Sequence, residues 1–403
     1  MTPVVATRTR HQLPLLLASI SSLGPFAIDT YLPSFGEIAA DLGATQLQVQ
    51  QTLTAYLLPF ALMTLWHGAI ADALGRRRVI LAGLVVFGFA SLGCALAPSI
   101  EVLWLFRALQ GATAGAGMVV GRAVVRDVMS GSEAQRLMSQ VTMVFAVAPS
   151  IAPVIGGWIE AHLGWRWVFL FLVAISLSIA GWCHQALPET LPPNQRQPLH
   201  PRYLLSAYRE VLSHPAFIAG SLSTAIAFSG FFVYVMSAPV YLMKHLNLGE
   251  TEFLWLFGPV TAGMMLGSWF SSHTAGRVGP IQIVVLGYAL MVFAAFANST
   301  ISAFWAPSVP WSVGPHFIYV LGMSMTAPTL TLMGLDLFPD RRGLAASCQG
   351  LIATLVNTVN SAVLAPALWA SPMRLAVGQC ALLALAGALV TVFFHLIFSR
   401  RAA

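Results

Sequence analysis

Apolar runs of about 20 residues recur along this chain, separated by short polar breaks. Twelve can be traced, near residues 13–34, 47–70, 78–97, 101–123, 137–160, 165–186, 215–240, 252–274, 281–303, 309–334, 343–366 and 372–398. Each is long enough to cross a hydrocarbon layer of about 30 Å as a helix. Backbone in lipid must satisfy its own hydrogen bonds, and a helix does so within one segment. The short alternating segments of a membrane barrel are not seen. The pattern predicts an all-α membrane protein with twelve transmembrane helices.

The longest polar interruption runs from Leu187 to Pro215 and holds six prolines. It divides the spans six and six. The expected organisation is an N-terminal six-helix bundle over 1–190, a cytoplasmic linker over 191–214 and a C-terminal six-helix bundle over 215–403. Tyr203, Leu204, Tyr208, Val211 and Leu212 in the linker share a helical spacing. With Arg202 and Arg209 they suit either a helix lying on the membrane surface or a plain linker helix. A weak repeat links DALGRRR (Asp72 to Arg78) to GRVGP (Gly276 to Pro280), although the second copy lacks the acid. Two related halves with a substrate site at their interface are a common transporter plan.

Composition agrees with the pattern. Only 8% of the 403 residues are charged and 57% are hydrophobic, whereas soluble chains carry about 25% charged residues. The net charge of +6 raises the question of a nucleic-acid partner, but its distribution argues against one. With loops assigned alternately to two sides, sixteen Lys and Arg fall on the side of the N-terminus and three on the other, with Arg107 inside a span. That asymmetry places both termini in the cytoplasm. The four cysteines stand singly in apolar runs, with no CxxC spacing, so neither metal site nor disulfide framework is expected. The first run continues through Pro25 and Asp29 without a cleavage pattern and reads as a retained helix. No HExxH, GxSxG or P-loop occurs, which disfavours a membrane-embedded enzyme. Neither catalytic residues nor cofactor nor metal is expected. Of the scattered histidines, His67 near Asp72 alone merits attention, and it reads as the mark of a helix end.

Two charges stand out inside the apolar runs. Asp29, in GPFAIDTYLP (Gly24 to Pro33), is an acid in a span, where a charge costs about 2.5–3.5 kcal/mol on insertion scales. Desolvation penalises its ionised form. An acid so tuned can take a proton from one side and release it to the other, unless it sits at a wet outer mouth. Arg107 opens RALQGATAGAG. It either snorkels outward or faces the interior, where it can pair with Asp29, with Gln110 or with carbonyls of the first helix. Glycines 111, 115, 117 and 121 follow at spacings that allow close helix packing. In GAIADALGRRR (Gly68 to Arg78), Gly75 suits a positive φ. Asp72 can accept from Arg76 or from a neighbouring helix N-terminus. Pro149 and Pro153 in APSIAPVIGGW interrupt a helix ladder and bend it, while Gly156 and Gly157 admit a close neighbour.

GPFAIDTYLP, GAIADALGRRR, LWLFRALQGATAGAG and APSIAPVIGGW occur in order, and together they resemble the signature motifs of the major facilitator superfamily. The first resembles the Bcr/CflA branch of drug-proton antiporters. The likeness runs from about Pro14 to Phe398 and implies the major facilitator fold. It further implies proton coupling at Asp29 and Arg107, a conformational latch at Gly68, Asp72, Gly75 and Arg76, and export through the motif of Pro149, Pro153, Gly156 and Gly157. Ala152 stands where that family usually has Gly.

The expected cavity is large and mostly apolar with a few polar groups. Tyr31, Tyr56, Gln110, Met118, Phe228, Phe231, Tyr234, Asn357 and Asn360 are candidates to line it; the aromatics also suit core packing, and the two Asn suit interhelical glue. The resulting expectation is a monomeric, proton-coupled multidrug efflux antiporter of the bacterial inner membrane, exporting small amphipathic antibiotics such as phenicol- or bicyclomycin-like compounds. Its partners are the drug, protons and the lipid bilayer. The alternative is a proton-coupled transporter of one metabolite, such as a nucleoside or sugar.

Overall fold

In a computed structural model the described residues are 7–129, 131–197, 199–274 and 277–402, and they contain no strand. The first six long helices are α1 (Thr7–Asp29), α2 (Gln46–Leu74), α3 (Arg76–Ala95), α4 (Ile100–Val128), α5 (Gly131–Leu163) and α6 (Trp165–Ala186). A short helix α7 (Pro201–Leu212) follows. Then come α8 (Pro215–Met236), α9 (Leu254–Thr274), α10 (Pro280–Phe304), α11 (Gly314–Leu335), α12 (Arg342–Val359) and α13 (Pro372–Ala402). Among the described residues, ten segments are long and apolar enough to cross a membrane. The expected runs 101–123 and 137–160 are not among the ten, although both are helical, as α4 and α5, at 29 and 33 residues. In α4, Arg107, Gln110 and the glycines lower the hydropathy without shortening the helix.

The chain divides into two compact units, Met1–His200 and Pro201–Ala403. In the first, α4 packs against α2 and α3, α3 against α6, and α1 against α5. In the second, α8 packs on α13, α9 and α10 on α11, and α12 on α8. Val284, Leu330, Val390 and Phe393 form an apolar core there with Ala216 and Ala219. The segment expected as a linker is divided between the units. Gln197 donates its backbone N–H to the carbonyl of Asp72 at 3.1 Å, which ties that end to the first unit. Helix α7 packs on α12 and α8. Its Tyr208 and Val211 are buried, so they cover protein. The side chain of Tyr203 lies outside the description, as does Gly276 of the second GRVGP copy.

The first run differs from expectation in one functional respect. It does not continue as one helix to residue 34. Helix α1 ends at Asp29, and a turn at Thr30 and Tyr31 leads into a 3-10 turn (Leu32–Ser34) and a short helix (Phe35–Asp41). The Thr30 hydroxyl bonds back to the Phe26 carbonyl at 2.5 Å. The short helix is tied to the start of α6: Glu37 accepts from the Trp165 backbone N–H at 2.8 Å, and Asp41 accepts from the Trp165 indole at 3.0 Å and pairs with Arg166.

Candidate functional site

Asp29 is the last residue of α1 and is 5% exposed. Among the described residues no hydrogen bond or ion pair reaches its carboxyl group. The carbonyl end of a helix carries partial negative charge and offers an anion no support. Asp29 is therefore largely buried, and among the described residues no partner neutralises it.

Arg107 points inward and is fully buried. Its Nη1 donates to the Ala27 carbonyl of α1 at 3.0 Å and to Gln110 Oε1 at 2.8 Å. The guanidinium lies between the rings of Tyr31 and Tyr56, 4.4 and 4.5 Å from their centroids. The outward, snorkelling arrangement is thus excluded. Of the three inward partners considered, Gln110 and an α1 carbonyl are the ones used, and no ion pair joins Arg107 to Asp29. Among the described residues its Nε and Nη2 have no hydrogen-bond partner. The flat cation is held by π faces on both sides, which a desolvated site makes favourable.

The clamp is itself anchored. Tyr56 donates to the Gly24 carbonyl at 3.2 Å. The Thr52 hydroxyl donates to Val49, so the Tyr31 hydroxyl, 2.8 Å away, donates to Thr52. Gln110 Nε2 donates to Ser91 at 2.7 Å, and its Oε1 accepts from the Cys94 thiol. Tyr31, Tyr56 and Gln110 thus hold Arg107 and are fully buried, whereas Met118 is half-buried. Two glycines set the approach of the helices. A Cβ on Gly111 would land on the Tyr56 carbonyl, and one on Gly156 would land on the Thr30 carbonyl in the turn after Asp29. Gly117 packs against Ile20 and Gly115 against His67. His67 is buried within α2, seven residues before its end at Leu74; it does not mark a helix terminus. Pro153 and Gly157 are buried in α5. Pro149 falls in the same uninterrupted helix, and its side chain lies outside the description.

In the loop between α2 and α3, Gly75 has φ +104°. A side chain there would also strike the carboxylate of Glu189. Arg76 is buried and pairs with Asp72 at 2.5 Å and with Asp127 at 3.2 Å. Asp127 also accepts from the Thr190 hydroxyl at 2.8 Å. The N-terminus of α3 is met by Glu189, which accepts from the Arg76 backbone N–H at 2.8 Å. An anion at the free N–H groups of a helix start is favourable. Asp72 therefore takes the Arg76 side chain, and the helix terminus goes to a residue 113 positions away. Gly68 lies half-buried in α2 against Val119. Sequence reasoning missed Asp127, Glu189 and Thr190. The available signal was the presence of lone acids within Arg-rich polar segments.

The second unit holds a different polar set. Tyr234 is fully buried and accepts from Asn298 Nδ2 at 2.6 Å, and Asn298 also donates to Gln379 at 2.9 Å. His316, 1% exposed, lies edge-on to Tyr234 with ring centroids 4.1 Å apart. Phe231 is buried and Phe228 half-buried. Asn360 donates to Ser229, and Asn357 lies one turn before it. Tyr234, by sequence one of a set of candidate lining residues that also suit core packing, thus belongs to a packed network within the unit.

The family model of the Major Facilitator Superfamily matches residues 15–361. An uncharacterised transporter of that superfamily from Bacillus subtilis is 31% identical over 88% of this chain and 88% of its own length. A protein from Pseudomonas aeruginosa named for chloramphenicol resistance is 30% identical over 80% of this chain and 77% of its own. Among solved structures, a D-xylose–proton symporter superposes with a TM-score of 0.76 at 15% identity, covering 94% of this chain and 97% of that one; at that identity the likeness concerns the fold. The match of the family model over residues 15–361 places this multi-pass membrane protein in the major facilitator superfamily.

Proposed function

We propose that the protein is a proton-coupled exporter of small amphipathic antibiotics, phenicol- or bicyclomycin-like, working by alternating access. It acts as a carrier and not as an enzyme, in the bacterial inner membrane, with both termini in the cytoplasm and as a monomer that binds no nucleic acid. The observation that carries this reading is Asp29, buried at 5% exposure with no partner among the described residues. An acid paired with Arg107 would be held ionised and would have little reason to exchange a proton. This one is left to bind a proton when water reaches it and to lose it when the opposite side opens. The resistance named for the Pseudomonas aeruginosa relative supports the choice of drugs as cargo.

Arg107 supplies the mechanical link. It grips the Ala27 carbonyl, two residues before Asp29. A change in the charge of Asp29 is felt at the end of α1, and Arg107 connects that end to α4 and, through Tyr56, to α2. The loop of Gly75 and Arg76, held by Asp72, Asp127 and Glu189, is the latch that keeps the first unit rigid while it moves.

The test is Asp29→Asn in everted vesicles, with drug-dependent proton release as the readout. The variant keeps the size and the burial and removes the titration. We expect drug-coupled proton movement to be lost, with the protein still folded by size-exclusion chromatography. Normal coupled transport in the variant would sink the reading.

A further inference from the structure

Two short stretches of the chain carry the same arrangement. WIEAH (Trp158 to His162) lies at the end of α5, and WFSSH (Trp269 to His273) at the end of α9. In each, the histidine is the penultimate residue of its helix and packs its ring on the indole four positions earlier. The ring centroids are 4.8 Å apart in the first pair and 4.2 Å in the second. In each, the imidazole Nδ1 also lies against the tryptophan carbonyl, at 2.8 and 3.0 Å. A carbonyl oxygen can only accept, so Nδ1 carries the hydrogen and donates it. In the neutral ring Nε2 is then an acceptor. Ser272 Oγ lies 3.4 Å from His273 Nδ1, but its own hydrogen goes to the Trp269 carbonyl and the assignment stands. Among the described residues no hydrogen bond reaches Nε2 of either ring.

Both pairs end apolar stripes that face away from the packed helices. Ile151, Ile155, Trp158 and His162 follow one another along one face of α5, with Ile151 46% and Trp158 56% exposed. Leu266, Trp269, Phe270 and His273 share a face of α9, and all four are exposed. Helix α9 lies in one of the ten segments able to cross a membrane. An exposed apolar stripe on a membrane-spanning helix meets acyl chains, and a tryptophan at its end sits at headgroup level. Each stripe thus ends in an indole with a bare acceptor beside it. At that level a phospholipid presents a phosphate, which only accepts, and a headgroup amine. An ammonium donates to Nε2 and is attracted to the indole face.

We propose that the Trp158–His162 and Trp269–His273 pairs are binding sites for a phospholipid headgroup bearing an ammonium with N–H donors, the chemistry of phosphatidylethanolamine. The indole attracts the cation whatever its substituents. Nε2 supplies the selectivity, because a trimethylated headgroup has the charge but no hydrogen to give.

The test uses the full-length protein at pH 8, extracted from vesicles equimolar in phosphatidylethanolamine and phosphatidylcholine with identical acyl chains. Retained lipids are counted by native mass spectrometry. We expect phosphatidylethanolamine to exceed phosphatidylcholine about fivefold among the most tightly retained lipids, the factor for one hydrogen bond of ordinary net strength. His162→Phe and His273→Phe each keep a ring on the indole and remove the acceptor; in the double variant the excess should fall to near parity. The wild type gives a second reading through N-methylated headgroups. One acceptor needs one donor, so the mono- and dimethyl forms should be retained like phosphatidylethanolamine, and only the trimethyl form should lose its place. Equal retention of the two lipids by the wild type, an excess that survives in the double variant, or a steady decline with each added methyl overturns the sites. A double variant that fails to fold leaves the methyl series to decide.

Discussion

Replacing Arg107 with Lys keeps the charge in place and removes the shape. The guanidinium holds two oxygens from one nitrogen, at 3.0 and 2.8 Å, while its plane lies between two rings at 4.4 and 4.5 Å. An ammonium group is a compact point charge without a flat face. It can keep one oxygen and one ring. The loss is then one hydrogen bond from a charged donor, about 1.5–3 kcal/mol, and one desolvated cation–π contact, about 2 kcal/mol. Together these come to about 3–5 kcal/mol. A unit the size of the first, Met1–His200, shifts its unfolding midpoint by about 2–4 °C per kcal/mol, so a drop of about 6–20 °C is expected. The assay is thermal unfolding of the purified protein in detergent, together with drug-dependent proton release in vesicles. Coupled transport should fall at least about tenfold, the factor that 1.4 kcal/mol represents. Tyr56→Phe is the matched control, since it keeps the ring and loses the single bond to Gly24. A midpoint within a degree or two of wild type for Arg107→Lys, with transport intact, would show that the clamp holds nothing.

Two further outcomes follow from the packing. Gly156→Ala forces a methyl group onto the Thr30 backbone carbonyl, which no side-chain rotation relieves; a loss of about 1–3 kcal/mol is expected with impaired transport, whereas Gly121→Ala, whose nearest neighbour would lie at 3.7 Å, should be neutral or slightly stabilising, and equal midpoints for the two would contradict the close approach. Glu189→Ala removes the acceptor at the start of α3, a cap worth about 0.5–2 kcal/mol, and the 4.0 Å ion pair with Arg196; trypsin should then cleave after Arg196 several-fold faster, and an unchanged cleavage rate would refute the tie between that segment and α3.

Where the long helices fall, and the presence of an acid inside the first of them, were decided by the order of residues. Those properties are local: about 20 consecutive apolar positions specify a span wherever they occur, and a carboxyl group among them is costly in any fold. The pairing of the charges was decided elsewhere. Asp29 and Arg107 are both visible as intramembrane charges, yet opposite sign does not make them partners. Whether they meet depends on the rotation and depth of α1 against α4, set by contacts such as Gly111 on Tyr56 and Gly156 on Thr30. The same holds for Glu189, which reaches α3 across 113 positions, and for Asn360, which finds Ser229 across 131. A periodic pattern shows that a helix has a polar atom on one face. Only the assembled bundle decides which neighbour occupies that face, because a hydrogen bond exists within about 3 Å and a shift of one helical turn abolishes it.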